Sequence, residues 1–391
     1  MEGPRACLPG EFDEVIDLIN ATFREGMDQD IRTDYPLVFD RDRLDYMRIV
    51  KVDGKVVSHV PVAPRRVITG GDAFTVGIIS PTITHPDYRR RGYATLCLRN
   101  CVRIMEEEGM AVSALWTQEA TFPFYQQSGW EAAGSQGWAY QLEARDEALL
   151  AAGSFDIEPY NATDHLDEII GIHDAEPHRI ARSRREYEAL FDLPKISTLV
   201  AVEGGRVAAY LMIGEGVNKP GIIEGGGERE GLEPLVKRVL QQLHADQEIQ
   251  VVLPLTPTAL TELVETRKVG RRRPVEEAAG VGPQMMRIND LEKLLRQSYS
   301  YLSQRSTGLE GDVCLACSDT GERVTLKFRD GEIGISTEAL EDQVVLSRRQ
   351  LAQLIFGAHP ALEPVECAGP AGEILDAVFP FYFPIWELDH S

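Results

Sequence analysis

The spacing of apolar and polar residues divides this chain into three stretches of different character. In FDEVIDLINATFRE (12–25), Phe12, Val15, Ile16, Ile19 and Phe23 recur three and four residues apart, which predicts an amphipathic helix. RIVKVDGKVVSHVPVAP (48–64) then reads as two strands around Asp53-Gly54, a dipeptide suited to a tight hairpin turn. TVGIISPTIT (75–84) predicts a further strand, and HPDYRRRG (85–92) a basic turn containing glycine. YATLCLR (93–99) opens a helix with Leu96, Leu98, Val102 and Met105 apolar, running to about Gly109. AVSALW (111–116) is the next strand, and FPFYQQSGW (122–130) places Tyr125 just before a Gly-aromatic pair. The order helix, hairpin, strand, helix, strand, helix closes a first domain, 1–145.

The second stretch repeats part of this plan. LVAVEGGRVAAYLMIG (199–214) echoes IVKVDGKVVSHVPV (49–62) with one extra Gly in the turn, and it follows a helical segment beginning DHLDEIIGIHD (164–174). Such self-similarity suggests a duplicated domain, 146–283. Where the copy should carry a basic turn it reads EGGGEREGLEPL (224–235). Gly225, Gly226 and Gly227 are permissive there, but Glu224, Glu228 and Glu230 would repel a phosphate. The copy is therefore expected to be degenerate. After the Gly/Pro-containing EEAAGVGPQ (276–284), MMRINDLEKLL (285–295) enters a third domain, 284–391. Asp330-Gly331 predicts a hairpin, SRRQLAQLIFGAH (347–359) an amphipathic helix, and FPFYFPIWELDHS (379–391) an aromatic tail tucked against a core.

Composition narrows the possible partners. At 391 residues and 43% apolar content the chain is long enough for two or three globular domains. No stretch is apolar enough to span a bilayer, and the N-terminus lacks a secretory pattern, so a cytoplasmic protein without membrane insertion is expected. A net charge of −22 disfavours nucleic acid and anionic membranes, and serves either solubility alone or the concentration of a cationic partner. Six cysteines in a chain this long do not form a disulfide framework. Cys314-x-x-Cys317 lacks a second pair or a nearby His and reads as core, as do Cys97 and Cys101, so no metal is expected. Asp28, Asp30 and Asp34 could line an acidic mouth but read as a solvated loop. His59 and His85 are left without a role.

The chemistry concentrates in residues 82–95. Arg89, Gly92 and Ala94 fit (Arg/Gln)-x-x-Gly-x-(Gly/Ala), a pattern that suits phosphate. Small residues let the backbone approach an anion, free N–H groups at a helix start point at it, and Arg89, Arg90 and Arg91 add charge. With the Tyr125 segment, this turn resembles the GNAT acetyltransferases, which hold the pyrophosphate of acetyl-CoA there. Over the whole chain, the turn, the Tyr125 segment, the MMRINDLEKLL entry and the Trp-containing C-terminus resemble the enhanced-intracellular-survival (Eis) family. That resemblance implies an α/β (α+β) fold class: tandem GNAT acetyltransferase folds, the second degenerate, plus a C-terminal sterol-carrier-like α+β domain. It implies acetyl transfer to primary amines of an aminoglycoside, polyamine or lysine side chain, and a homo-oligomer, in several members a hexamer.

The resemblance also assigns residues. Thr82, Ile83 and Thr84 end the strand that pairs with the pantetheine arm. Arg89, Arg90, Arg91, Gly92, Tyr93, Ala94 and Thr95 form the pyrophosphate turn, and Gln118 and Glu119 fall near a cofactor contact at a longer spacing from Tyr125. Tyr125 coincides with the general acid that protonates the departing thiolate. The family's C-terminal carboxylate, its general base, would be that of Ser391, although the usual closing aromatic residue is absent. A scaffold that binds acyl-CoA or lipid without turnover is the alternative.

Overall fold

Tight turns set the strand plan. Asp53 and Gly54 both take left-handed angles, φ 51° and 78°, the combination that a two-residue hairpin turn requires. They join β2 (Met47–Val52) to β3 (Lys55–Thr69), which β1 (Glu2–Ala6) precedes and β4 (Asp72–Ile79), β5 (Ile83–Thr84), β6 (Val112–Trp116) and β7 (Glu131–Ala132) follow. Next come β8 (Gly137–Glu143), β9 (Asp156–Pro159), β10 (His178–Ala181), β11 (Ile196–Glu203), β12 (Arg206–Glu215), β13 (Pro220–Gly227), β14 (Glu248–Pro254) and β15 (Arg271–Pro274). The last stretch supplies β16 (Gln284–Ile288), β17 (Gly311–Cys317), β18 (Arg323–Arg329), β19 (Glu332–Ser336) and β20 (Val344–Leu346). The structure, a computed structural model, describes residues 1–27, 29–134, 137–215, 220–275, 284–360, 362–385 and 387–390. It divides into two compact units, Met1–Gly134 with Gly282–Phe381 and Ser135–Val281 with Tyr382–Ser391.

In the first unit the main sheet runs β1-β2-β3-β4-β6-β16-β7, with β5 also paired to β3. Strands β1 to β4 are antiparallel, β4 and β6 are parallel, and β16 is antiparallel to both its neighbours. The second unit's sheet, β9-β11-β12-β13-β14-β8-β15, repeats those orientations strand for strand. Even the β-bulge recurs. Register slips between Val50 and Lys51 against β3, and between Ala201 and Val202 against β12. The repeat in the sequence is therefore a repeat of topology. Its second turn, Gly204-Gly205, also has two residues, at φ 60° and 81°. The extra Gly expected there is no insertion, and Val52 corresponds to Glu203.

One strand in each sheet comes from a distant part of the chain. The segment expected to close the first domain before residue 145, β8, lies beside β14 in the second unit. Its alternate residues Tyr140 and Leu142 join the second core with Ile249, Val251 and Leu253. The corresponding place in the first sheet belongs to β16, which pairs with β6 over Gln284–Ile288. The Gly/Pro segment 276–283 lies outside the described residues.

Helix α1 (Phe12–Phe23) buries Phe12, Val15, Ile16, Leu18 and Ile19. Phe23, expected on that face, is 41% exposed because the helix ends there. After the short α2 (Ile31–Asp34), α3 (Tyr93–Glu107) packs Cys97, Leu98, Cys101 and Met105 into a core with Val57, Val60, Val62 and Trp130. Of these, each fully buried Leu, Met or Val side chain stabilises the fold by roughly 1.5–3 kcal/mol. Burial also pushes the Cys97 thiol up to about 12, so it behaves as an apolar group.

The last stretch of the first unit forms a second sheet, β19-β18-β17-β20, turned at Asp330-Gly331 as expected. Cys314 and Cys317 are free and buried on β17. Ser347 caps the helix Arg348–Phe356 reciprocally with Gln350, and that helix buries Leu351, Leu354, Ile355 and Phe356. Phe379 and Phe381 are buried too, with Phe381 edge-on to Tyr301 at 4.7 Å between ring centroids. No helix among the described residues is long and apolar enough to cross a membrane.

Candidate active site

The site begins where two parallel strands part. β4 and β6 pair at Val76–Val112, Gly77–Ser113 and Ile78–Ala114, and the pairing ends there. Beyond that point β5 pairs only with β3, through Ser58–Thr84 and His59–Ile83. Among the described residues, the edge of 82–84 on the β6 side therefore has no strand partner. An opening at the C-terminal ends of parallel strands is where α/β sheets bind ligands. Ser58 fixes β5 in place: its hydroxyl donates to the Ile83 carbonyl at 3.0 Å and lies 2.9 Å from the Thr84 hydroxyl. From the other side the Arg89 Nε–H donates to the Thr84 carbonyl at 3.2 Å.

The turn after β5 leaves backbone N–H groups open at the start of α3. Arg90 and Gly92 take φ 62° and 81°, and Gly92 is the N-cap of α3 with no side chain capping the helix. The first backbone N–H to close onto the helix is that of Leu96, donating to the Gly92 carbonyl at 3.0 Å. The N–H groups of Tyr93, Ala94 and Thr95 stand in the unsatisfied first turn, with left-handed residues just ahead of them, a concavity that suits phosphate. A Cβ on Gly92 would meet nothing within 4 Å. The chain's own packing thus leaves space there for a ligand. The Arg89, Arg90 and Arg91 side chains are exposed. Replacing Gly92 with Val forces a β-branched residue into the left-handed region and fills that space. Binding of a phosphate-bearing ligand at this turn is expected to weaken at least about tenfold, some 1.4 kcal/mol, read by ligand titration of the two proteins.

Tyr125 lies on the short helix α4 (Phe122–Gln126), is 9% exposed, and packs edge-on against Phe124 and Trp130 at 4.8 and 6.4 Å. Burial raises its phenol above the ordinary value, and the neighbouring Thr82 side chain acts weakly the other way. The Thr82 Oγ1 is buried and completes no hydrogen bond of ordinary geometry. Thr82 and Tyr125 are thus brought together, one leading into the unpaired strand edge and one carrying a proton that it keeps at neutral pH. Gln118 and Glu119 are exposed in the turn between β6 and α4.

Two sequence candidates, Ser391 and Asp28, lie outside the described residues. Asp30 and Asp34 are engaged locally: Asp30 caps α2 and pairs with Arg32, and Asp34 pairs with Arg24 at 2.6 Å. Sequence reasoning passed over Ser58, which positions Thr84, although both it and His59 stand out as polar residues in an apolar strand. His59 is fully buried, neither ring nitrogen has a hydrogen-bond partner among the described residues, and burial pushes its pKa down to about 3, so the ring is neutral.

The second unit lacks the corresponding turn. β13 reaches the helix Arg229–Leu240 with Glu228 alone between them, whereas residues 80–92 intervene in the first unit. Gly225 and Gly226, expected to lie in a turn, lie within β13, where a Cβ would press on Leu211 or on the Tyr210 ring.

Residues 4–133 match the family model of the acetyltransferase (GNAT) domain. GNAT domains use acetyl-CoA as co-substrate, and the chain is an acetyltransferase carrying such a domain. No curated protein matches the sequence significantly. The fold is similar to a probable N-acyltransferase of Enterococcus faecalis V583, at 15% identity and TM-score 0.70, covering 90% of this chain and 89% of that one. It is similar to a GCN5-related N-acetyltransferase of Kribbella flavida, at 17% identity and TM-score 0.69, covering 97% and 96%. Eis1 of Mycobacterium abscessus is similar at 15% identity and TM-score 0.64, covering 98% of both chains. At these identities the likenesses carry the fold, a mixed α/β architecture over almost the whole length.

Proposed function

We propose that this chain transfers acetyl directly from acetyl-CoA to a primary amine of a cationic acceptor: an aminoglycoside, a polyamine or a lysine side chain. One observation carries the reading. A buried, protonated Tyr125 stands beside Thr82, which leads directly into the β5 edge that has no strand partner on the β6 side among the described residues. Acetyl-CoA supplies the acyl group and a thiol leaving group. Arg89 to Thr95 hold the pyrophosphate, and the backbone of Thr82, Ile83 and Thr84 orients the pantetheine arm, with Gln118 and Glu119 at the margin of that site. Tyr125 donates a proton to the departing sulfur. An amine with a free pKa near ~10 must arrive without its proton, and Ser391 is the candidate base. On the same reading the chain is a cytoplasmic Eis-like homo-oligomer, hexameric in the family's manner. Its last stretch is a sterol-carrier-like domain and its second GNAT-like domain is inactive.

The test is thiol release from acetyl-CoA across polyamines, aminoglycosides, lysine peptides and arylamines, with a Ser391-deleted chain alongside. Amine-dependent release that falls on deletion supports acceptor class and base together. Acetyl-CoA binding with no release above hydrolysis on any amine would favour the acyl-CoA-binding alternative.

A further inference from the structure

The second unit contains a pocket that the acetyl-transfer reading does not use. It is small and partly open to solvent, and its lining includes His173, Glu176, Arg179, Tyr210, Glu224 and Thr258. Its inner end has room for one water-sized group. The pocket lies on the face of β13 that meets the helix Ala162–Ala175, since a Cβ at Gly226 would approach both the Tyr210 ring and Ile172.

The charges around it do not balance. Arg182 is bound to Glu224 and to Asp389, all three buried, and Arg179 lies 3.5 Å from Asp174. Glu176 is a further, half-buried carboxylate, and no hydrogen bond or ion pair reaches its side chain among the described residues. Two guanidinium groups thus stand among five carboxylates, Glu262 included, of which Glu176 and Glu224 line the pocket. Burial first, and then the nearby Glu224 and Glu262, raise the Glu176 carboxyl above its ordinary value, and the Arg179 charge acting the other way does not offset them. His173 is 2% exposed, its Nδ1 is held by the Tyr187 hydroxyl at 2.7 Å, and its Nε2 has no partner. No group of three His, Cys, Asp or Glu side chains among the described residues is arranged to hold a metal ion.

We propose that this pocket binds the ammonium head of a primary alkylamine, with Glu176 as its counter-ion and the His173 Nε2 and Thr258 hydroxyl as polar neighbours. A compact ammonium matches the size of the inner end, an anion meets excess negative charge, and a neutral group leaves Glu176 unpaired. With no basic turn on β13, the site holds an amine without acetylating it.

Butylammonium chloride, titrated at neutral pH into the full chain without acetyl-CoA, tests this through the methyl resonances of Ile172 and Thr258. Saturable shifts of both methyls are expected, none with n-butanol, and at least tenfold weaker binding in Glu176→Gln. Equal shifts with butanol, undiminished binding in Glu176→Gln, or no saturable shift in the wild-type chain would each overturn the proposal. The butanol comparison stands even if the variant folds poorly. Because acetyl-CoA is absent, the outcome is independent of whether the first unit transfers acetyl to any amine.

Discussion

Tyr125→Phe is expected to lower kcat by roughly 10²–10⁴-fold, the usual contribution of a positioned general acid, while acetyl-CoA still binds. Phe keeps the ring that packs on Phe124 and Trp130, so folding should be nearly unaffected. The pH dependence gives a second readout. Burial raises the phenol above its ordinary value near ~10. The proton is therefore present through neutral pH, and its contribution to wild-type kcat is lost as pH rises through that elevated value, separate from any acid limb set by the base and the amine. Tyr125→Phe has no such proton to lose, so its residual rate should lack this alkaline decline. A variant with wild-type kcat, or one that keeps the same alkaline limb, removes Tyr125 from proton transfer and leaves it a core aromatic.

What could be read from the sequence was what is encoded by neighbouring residues. The Asp53-Gly54 and Asp330-Gly331 turns, the apolar stripe of α3 and the basic turn before it each depend on a handful of consecutive positions. The open, uncapped turn from Arg89 to Thr95 was legible because small residues, arginines and a helix start coincide there. Tyr125 was legible by its place beyond the next strand. Its relation to Thr82 was not, since it depends on how β5 and α4 come together.

Long-range features left almost no local trace. Nothing in GWAYQLE announces that β8 pairs with β14, or in QMMRI that β16 pairs with β6, because a pairing between segments so far apart in the chain leaves no mark in either strand's own residues. The repeat was visible, but its register was not. The two glycines at 204 and 205 look like an insertion until the matching bulges align the turns. Ser58 and His59 were visible as anomalies without a role, which only the pairing of β3 with β5 supplies for Ser58. A charge of −22 told of an acidic chain but not that one arginine lies among buried carboxylates.

That arginine should matter more to stability than any surface charge. Arg182 donates to Glu224 at 3.0 and 2.7 Å and to Asp389 at 3.1 and 2.8 Å, while the Tyr210 hydroxyl donates to Glu224 at 2.9 Å. Burial alone would raise the Glu224 carboxyl, but the Arg182 charge prevails and holds it below the ordinary carboxylate value. In the wild-type chain this contribution is present above the unfolded carboxylate value near ~4.3 and is lost as pH falls through the lower folded one. Arg182→Ala leaves two buried carboxylates uncompensated, and the second unit should lose about 3–5 kcal/mol at neutral pH. The sign of the pH dependence then reverses. Without the guanidinium, the folded state favours protonated Glu224 and Asp389, so the variant loses stability as pH rises from the unfolded value towards the raised folded values. Urea unfolding at pH 4.5 and pH 7 should therefore show the smaller deficit at the acid end. The triple variant Arg182→Met, Glu224→Gln, Asp389→Asn should recover much of the loss, because it removes the charges together. A deficit that grows on acidification, or an Arg182→Ala chain as stable as wild type at pH 7, would mean that water reaches these carboxylates and that the cluster does not hold the tail to the second core.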